Sequence, residues 1–300
     1  MEGLKIGHFT NNELGTGVSV FLFENSAVGA YSICGSAPAS HELHVLDSEN
    51  SVPDLHGLTF AGGSAYGLYA AKGVMTYLTE RGIGHPTIHG IVPIVPAVAI
   101  YDLIYKSAFP PSAEDAYEAC LTAKENNKTS GRIGAGTGAT IGKLVLKAHY
   151  MNGGLGYGEV NLPNGIQVIA YVVVNAVGDV VNSNGRIIAG AKYEDGEFAN
   201  CEKYLLSGRA EIDLFSLSNS TLVAVFTNAK FTKDELKRIG KMAISGIART
   251  VSPVFTRYDG DILFCVSLGE YSASELTIGT MAAEAIKLAI WDAVKNSGVI

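Results

Sequence analysis

Residues 166–174 read Ile-Gln-Val-Ile-Ala-Tyr-Val-Val-Val, a nearly continuous run of apolar and β-branched side chains. A run of that length and composition is a strand buried on both faces, so it needs other elements packed above and below it. Comparable strands are expected at 18–23, 28–35 and 262–266, and Thr221 opens an apolar, β-prone stretch to Phe226. Helical patterns lie between them. The stretch opened by Gly62-Gly63-Ser64 continues through Tyr69, Val74, Tyr77 and Leu78 and stops at Arg81-Gly82. Ser64 reads as its N-cap. Gly67 and Gly73 cost it helicity, which implies close packing against another backbone. A second helix, 112–125, places Glu114 and Asp115 in its first turn, where the helix dipole favours them. Residues 232–247 repeat Leu236, Ile239, Met242, Ala243 and Ile247 at helical spacing, and 274–295 form a long helix. The apolar segment 91–100 is interrupted by Pro93 and Pro96 and is expected to be a loop or edge segment. Buried strands mixed with helices throughout imply an α/β fold in which helices cover the outer faces of sheets. No linker, repeat or low-complexity segment divides the chain; residues 207–219 form the one candidate long loop within a single domain, 1–300.

Composition narrows the function. The chain is 47% apolar and 17% charged, which excludes a disordered tail-like protein. Its 35 glycines follow no collagen-like period, so they mark tight turns and close backbone approaches. A net charge of -7 without a basic cluster argues against a nucleic-acid partner. Cys34, Cys120, Cys201 and Cys265 are far apart and form no CxxC pair, and the histidines form no HExxH motif. Cys34 and Cys265 read as small core residues, and His41-Glu42-Leu43-His44 as a solvated loop. No metal and no cofactor are therefore expected. The N-terminus lacks an apolar signal core, and the longest apolar run, around 91–103, is broken by Pro93, Pro96 and Asp102. A cytoplasmic protein without membrane contact is expected.

Two glycine-rich segments fall short of nucleotide and esterase motifs. In Gly131–Lys143, Thr137 stands where a phosphate loop needs glycine, and Leu144 stands where it needs Ser or Thr. Gly134-Ala135-Gly136-Thr137-Gly138-Ala139 matches a loose dinucleotide pattern but lacks a clear preceding buried strand. Gly62-Gly63-Ser64-Ala65-Tyr66 fails the GxSxG elbow at Tyr66.

The segment Leu217-Ser218-Asn219 is polar, and the chain turns apolar directly after Ser220. Two readings are open: an ordinary turn entering a strand, or a hydroxyl at the mouth of a buried strand, exposed as a nucleophile by self-cleavage. A serine hydroxyl needs a base. An amide nitrogen cannot accept its proton, whereas a freed α-amine has an unperturbed pKa of about 7.7–8.0, close to working pH.

An ordered set of blocks resembles the family of DmpA aminopeptidases and NylC-like nylon-oligomer hydrolases. The set runs from Gly7-His8-Phe9-Thr10 through Gly62–Leu68, Val92–Ala97, Gly134–Lys143, Val174–Asp179 and Gly185–Gly190 to Asn219–Leu222 and Tyr258-Asp259-Gly260-Asp261. The resemblance implies a four-layer αββα sandwich, similar to N-terminal nucleophile hydrolases but with different connectivity. It also implies one self-cleavage, between Asn219 and Ser220, giving an α chain of 1–219 and a β chain of 220–300. Ser220 is then the nucleophile and Asn175 an oxyanion donor. Lys143 holds or activates the hydroxyl, Asp259 and Asp261 orient the ammonium groups, and Tyr101 lies near the nucleophile. The implied substrate is a small peptide or amide oligomer, and the implied assembly is a tetramer of αβ units. Ser220 matches the aminopeptidase branch, while Tyr258–Asp261 and Ala99-Ile100-Tyr101 look more like the nylon-hydrolase branch, and Ala99 and Ile100 are neutral where some aminopeptidases carry an acid. Two alternatives stand beside the hydrolase: an acyltransferase resembling ornithine acetyltransferases, and an uncleaved, non-catalytic member.

Overall fold

The structure is a computed structural model and describes residues 1–107, 109–208 and 219–298. The candidate long loop at 207–219 therefore falls mostly outside the described residues.

The fold is organised by one long strand, Thr16–Ile33. The sequence reads as two strands here, 18–23 and 28–35, with Glu24, Asn25 and Ser26 between them. The backbone instead stays extended through these three exposed residues as the chain leaves one sheet and enters another. Its first part pairs antiparallel with Leu4–Asn11 and with Leu55–Ala61. Its last part, from Val28 to Ile33, pairs with Ile262–Tyr271. Beyond that lie Ser220–Ala229, Gln167–Asn175 and Gly154–Asn161, in that order. The first sheet continues from Leu55–Ala61 through Ala97–Ala99 to Ala39–His41. Ala97–Ala99 is thus an interior strand rather than the loop or edge expected for 91–100. Pro93 and Pro96 precede it, so neither removes one of its ladder donors.

Side-chain alternation shows the layers. Val168, Ala170, Val172 and Val174 face the helices Lys233–Ala243 and Glu275–Asn296. Their neighbours Ile169, Tyr171 and Val173 face the other sheet, meeting Phe21, Phe60 and Phe226 in a core between the two sheets. Val18, Val20 and Leu22 point outward onto Ala71–Glu80 and Ala113–Leu121. The order is helices, sheet, sheet, helices, the sandwich that the resemblance implied. Two predicted helix starts carry complete capping boxes, Ser112 with Asp115 and Thr232 with Glu235. Gly73 sits against the carbonyl of Ala113, the close helix contact that its presence suggested.

The inter-sheet core is aromatic. Phe21 packs within 5.3 Å, centroid to centroid, of Phe60, Tyr171 and Phe226. The buried Tyr171 hydroxyl is satisfied by the Asn127 carbonyl at 2.7 Å. Because Phe226 is fully buried on the strand that begins at Ser220, Phe226→Ala is expected to cost about 3–5 kcal/mol. Denaturant unfolding of the variant checks this; a loss below 1 kcal/mol would mean that the sheets are not packed as described.

Candidate active site

Strand register assembles the site. Gln167–Asn175 and Ser220–Ala229 run antiparallel, and their last paired residues are Asn175 and Ser220. On its other side, Ser220–Ala229 runs parallel to Ile262–Tyr271 with Leu222 opposite Ile262, and an isolated bridge extends that pairing to Asn219 and Asp259. Positions 45 and 40 residues away in sequence thereby converge on Ser220 (220 less 175, and 260 less 220). Asn219, Ser220, Asn175, Lys143, Asp259 and Asp261 are all buried.

The Asn219 carbonyl accepts from the Gly260 N–H at 2.7 Å and from the Ser220 hydroxyl at 2.5 Å. Gly260 has to be glycine: a Cβ there would lie 2.6 Å from Ser220 Oγ and 2.7 Å from the Ala37 carbonyl oxygen. Both polar atoms of the Asn219 side chain are buried without a hydrogen-bond partner among the described residues. Such a group costs about 1–3 kcal/mol.

Asn175 is held in one orientation. Its Oδ1 accepts from Lys143 Nζ at 2.7 Å and from Thr140 N at 3.0 Å, so the oxygen must face these donors. Its Nδ2 therefore points the other way, donating to the Tyr101 carbonyl at 3.2 Å and retaining a second hydrogen. Lys143 Nζ also donates to the carbonyls of Thr140 and Asn175. The lysine thus grips Asn175, while the Ser220 hydroxyl turns to its own preceding carbonyl. Burial lowers the Lys143 pKa to about 7, against the opposing pull of Asp259 and Asp102. A neutral amine is then available near neutral pH.

Asp259 and Asp261 flank Gly260 and are both shifted upward, first by burial; Asp261 is raised further by the charge of Asp259. Asp259 Oδ2 accepts from the Thr256 hydroxyl and N–H, and Asp261 accepts from the N–H groups of Thr221 and Phe255. Asp261 thereby ties the loop before Ile262 to the strand that begins at Ser220, and Asp259 braces the loop itself.

A cavity of about 170 Å³ opens onto Asn219 and Ser220. Ala37, Ala39 and Ala99 give it apolar lining, and Ser64, Tyr101, Tyr258 and Arg257 supply polar groups. Ser64 is not the expected N-cap. Gly63 occupies that position with φ 81°, and Ser64 is the first helical residue, itself at φ 55°. The turn is held by Asp102, whose Oδ1 accepts from Gly63 N at 2.6 Å. Sequence reading passed over Asp102, treating it only as an interruption of an apolar run. A carboxylate inside such a run was the available signal. Gly260 was likewise read only as a spacer between two acids.

Among the described residues no cluster of three or more His, Cys, Asp or Glu could hold a metal ion, and no helix is long and apolar enough to cross a membrane.

The helix–sheet–sheet–helix sandwich, with Ser220 at the head of a central strand, can be set against known proteins. A solved structure described as the L-aminopeptidase D-Ala-esterase/amidase of Ochrobactrum anthropi, a variant among the Ntn hydrolase fold, superposes with a TM-score of 0.72 over 99% of this chain and 85% of that one, at 16% identity. The profile of peptidase family S58 matches residues 1–298, and the chain belongs to that family of amide-bond hydrolases. A protein named as an uncharacterized aminopeptidase of Mycobacterium leprae is 35% identical over 292 residues, covering 91% of this chain and 79% of the relative. The 6-aminohexanoate-oligomer endohydrolase of Paenarthrobacter ureafaciens is 28% identical over 262 residues, covering 81% of this chain and 71% of the relative.

Burial raises Asp102 from 3.8 to about 6. Between those values the folded protein holds a proton that the unfolded chain has lost, so this group's contribution to stability falls as pH rises through the window. Asp102→Asn removes that dependence. The stability of the variant relative to the wild type should shift by about 2 kcal/mol in its favour between pH 4 and pH 7. Parallel denaturant titrations at the two pH values measure this, and an unchanged difference would show that Asp102 is not buried as a charge.

Proposed function

We propose that the chain cuts itself once, between Asn219 and Ser220, and that the freed Ser220 hydrolyses amide bonds of small peptides or amide oligomers. The observation that supports this reading is the Asn219 carbonyl, which sits between the Ser220 hydroxyl and the Gly260 N–H. In the first step Ser220 Oγ bonds to the Asn219 carbonyl carbon and the Asn219–Ser220 C–N bond breaks. The proton that the hydroxyl gives up ends on the departing nitrogen, and an ester remains that water opens. The negative charge that develops on the carbonyl oxygen meets the Gly260 N–H, a donor already in position. The unpartnered Asn219 amide favours departure, because the intact chain holds a buried polar group without compensation.

Cleavage gives 1–219 and 220–300 and leaves Ser220 with an α-amine beside its hydroxyl. That amine takes the hydroxyl proton as Oγ attacks a substrate carbonyl, and passes it to the leaving amine. Water then hydrolyses the acyl-enzyme. Once Asn219 moves away, the Gly260 N–H is free for the substrate oxyanion, with the second Asn175 Nδ2 hydrogen as a further donor. Lys143 and Thr140 fix the direction in which Asn175 donates. The substrate acyl group takes the place that Asn219 occupies before cleavage. The names of the relatives, aminopeptidase and 6-aminohexanoate-oligomer endohydrolase, support the same substrate class.

Intact mass and a denaturing gel test the first step. The wild type should resolve into two polypeptides and Ser220→Ala should remain one, inactive on amide substrates. Active wild-type enzyme that stays a single chain over days would overturn the mechanism. Gly260→Ala places a methyl group against Ser220 Oγ and disturbs the carbonyl's donor, so its self-cleavage should slow by about 10²-fold or more. A time course on freshly purified variant reads that rate directly.

A further inference from the structure

The geometry points to Arg257 as the group that selects substrate at this site, by binding the free carboxylate of a short peptide or amide oligomer; the inference rests on the hydrolase reading above. Arg257 lines the cavity that opens onto Ser220 and is exposed at its mouth. The chain has 29 acidic residues against 22 basic ones, yet Arg257 forms no ion pair among the described residues. Arg238, by contrast, makes a two-pronged pair with Glu275.

The Arg257 guanidinium lies 5.3 Å from the ring centroid of Tyr258. That is within cation–π range, and the contact leaves the guanidinium N–H groups without a hydrogen-bond partner among the described residues. The Tyr258 backbone is held within the same loop, its N–H donating to the Thr256 hydroxyl at 3.2 Å. The free cation is thus attached to the same short segment that carries Asp259, Gly260 and Asp261.

The rest of the cavity shows which end of a substrate this cation serves. Among the described residues no carboxylate lines it: Asp259 and Asp261 are buried behind Ser220 and occupied by Thr256, Thr221 and Phe255. The apolar lining at Ala37, Ala39 and Ala99 offers nothing to an ammonium group. A substrate gains no charge pairing here from a free amino end and gains it from a free carboxyl end. In a short unblocked peptide that carboxylate is the C-terminal one.

The test compares trialanine with its C-terminal amide, using wild type, Arg257→Lys, Arg257→Ala and Arg257→Glu. Wild type should show kcat/KM about tenfold higher for the free acid, mainly through KM, with the preference shrinking as salt rises. Arg257→Lys should retain part of the preference, Arg257→Ala should bring it near one, and Arg257→Glu should reverse it. An equal preference in wild type and Arg257→Ala would overturn the assignment. If wild type cleaves neither peptide, the hydrolase reading is at fault, and calorimetric binding of the same pair still decides: tighter binding of the acid that is lost in Arg257→Ala supports Arg257, and no difference refutes it.

Discussion

The hydrogen-bonded register of one strand underlies the site. Ser220–Ala229 is held between an antiparallel neighbour and a parallel one, so its first residue has fixed partners on both sides. Asn175 comes from one neighbour; Gly260 and its flanking acids come from the loop that leads into the other. A slip of one residue would turn every side chain of the strand to the opposite face. Burial resists such a slip, since Leu222, Ala224 and Phe226 belong to the inter-sheet core while Val223 and Val225 pack under helices. Ordinary apolar packing therefore determines where the reactive groups stand.

Burial also sets their electrostatics. Lys143 is drawn down toward neutrality while Asp102, Asp259 and Asp261 are all raised. Removing these groups from water disfavours every charged form, and the lysine and carboxylates relieve one another only in part. The result is that Lys143 and Asp261, both at about 7, and Asp102, at about 6, can exchange protons near neutral pH. The cost to stability is borne by a large core: two sheets, each with an apolar face toward the other and an apolar face toward helices.

Much of this was legible in the chain. The apolar run 166–174, the helical spacing of Leu236, Ile239 and Ala243, and the capping residues Ser112, Thr232 and Ser274 each express a local preference that the fold retains. Misreadings occurred where local and tertiary preferences diverge. Glu24-Asn25-Ser26 separates two apolar runs that read as two strands, yet it stays extended, because the two sheets give a single strand partners on both sides of it. Ala97-Val98-Ala99 is too short to read as a strand beside two prolines, yet it is held between Leu55–Ala61 and Ala39–His41. Ser64 has the residue type of a cap but lies inside the turn, since Asp102 binds Gly63 instead.

The sequence by itself determined the alternation of buried strands and covering helices, and it supplied a hydroxyl, an amide, a lysine and two carboxylates in recognisable local contexts. These follow from side-chain chemistry and from periods of two and 3.6 residues, which act between near neighbours. Only the tertiary structure decided that the Asn219 carbonyl lies against Gly260, that Lys143 holds Asn175, and that Arg257 stands at the cavity mouth without an ion-pair partner among the described residues. Those relations join residues far apart in the chain, and they are fixed by strand pairing and burial that no local window contains.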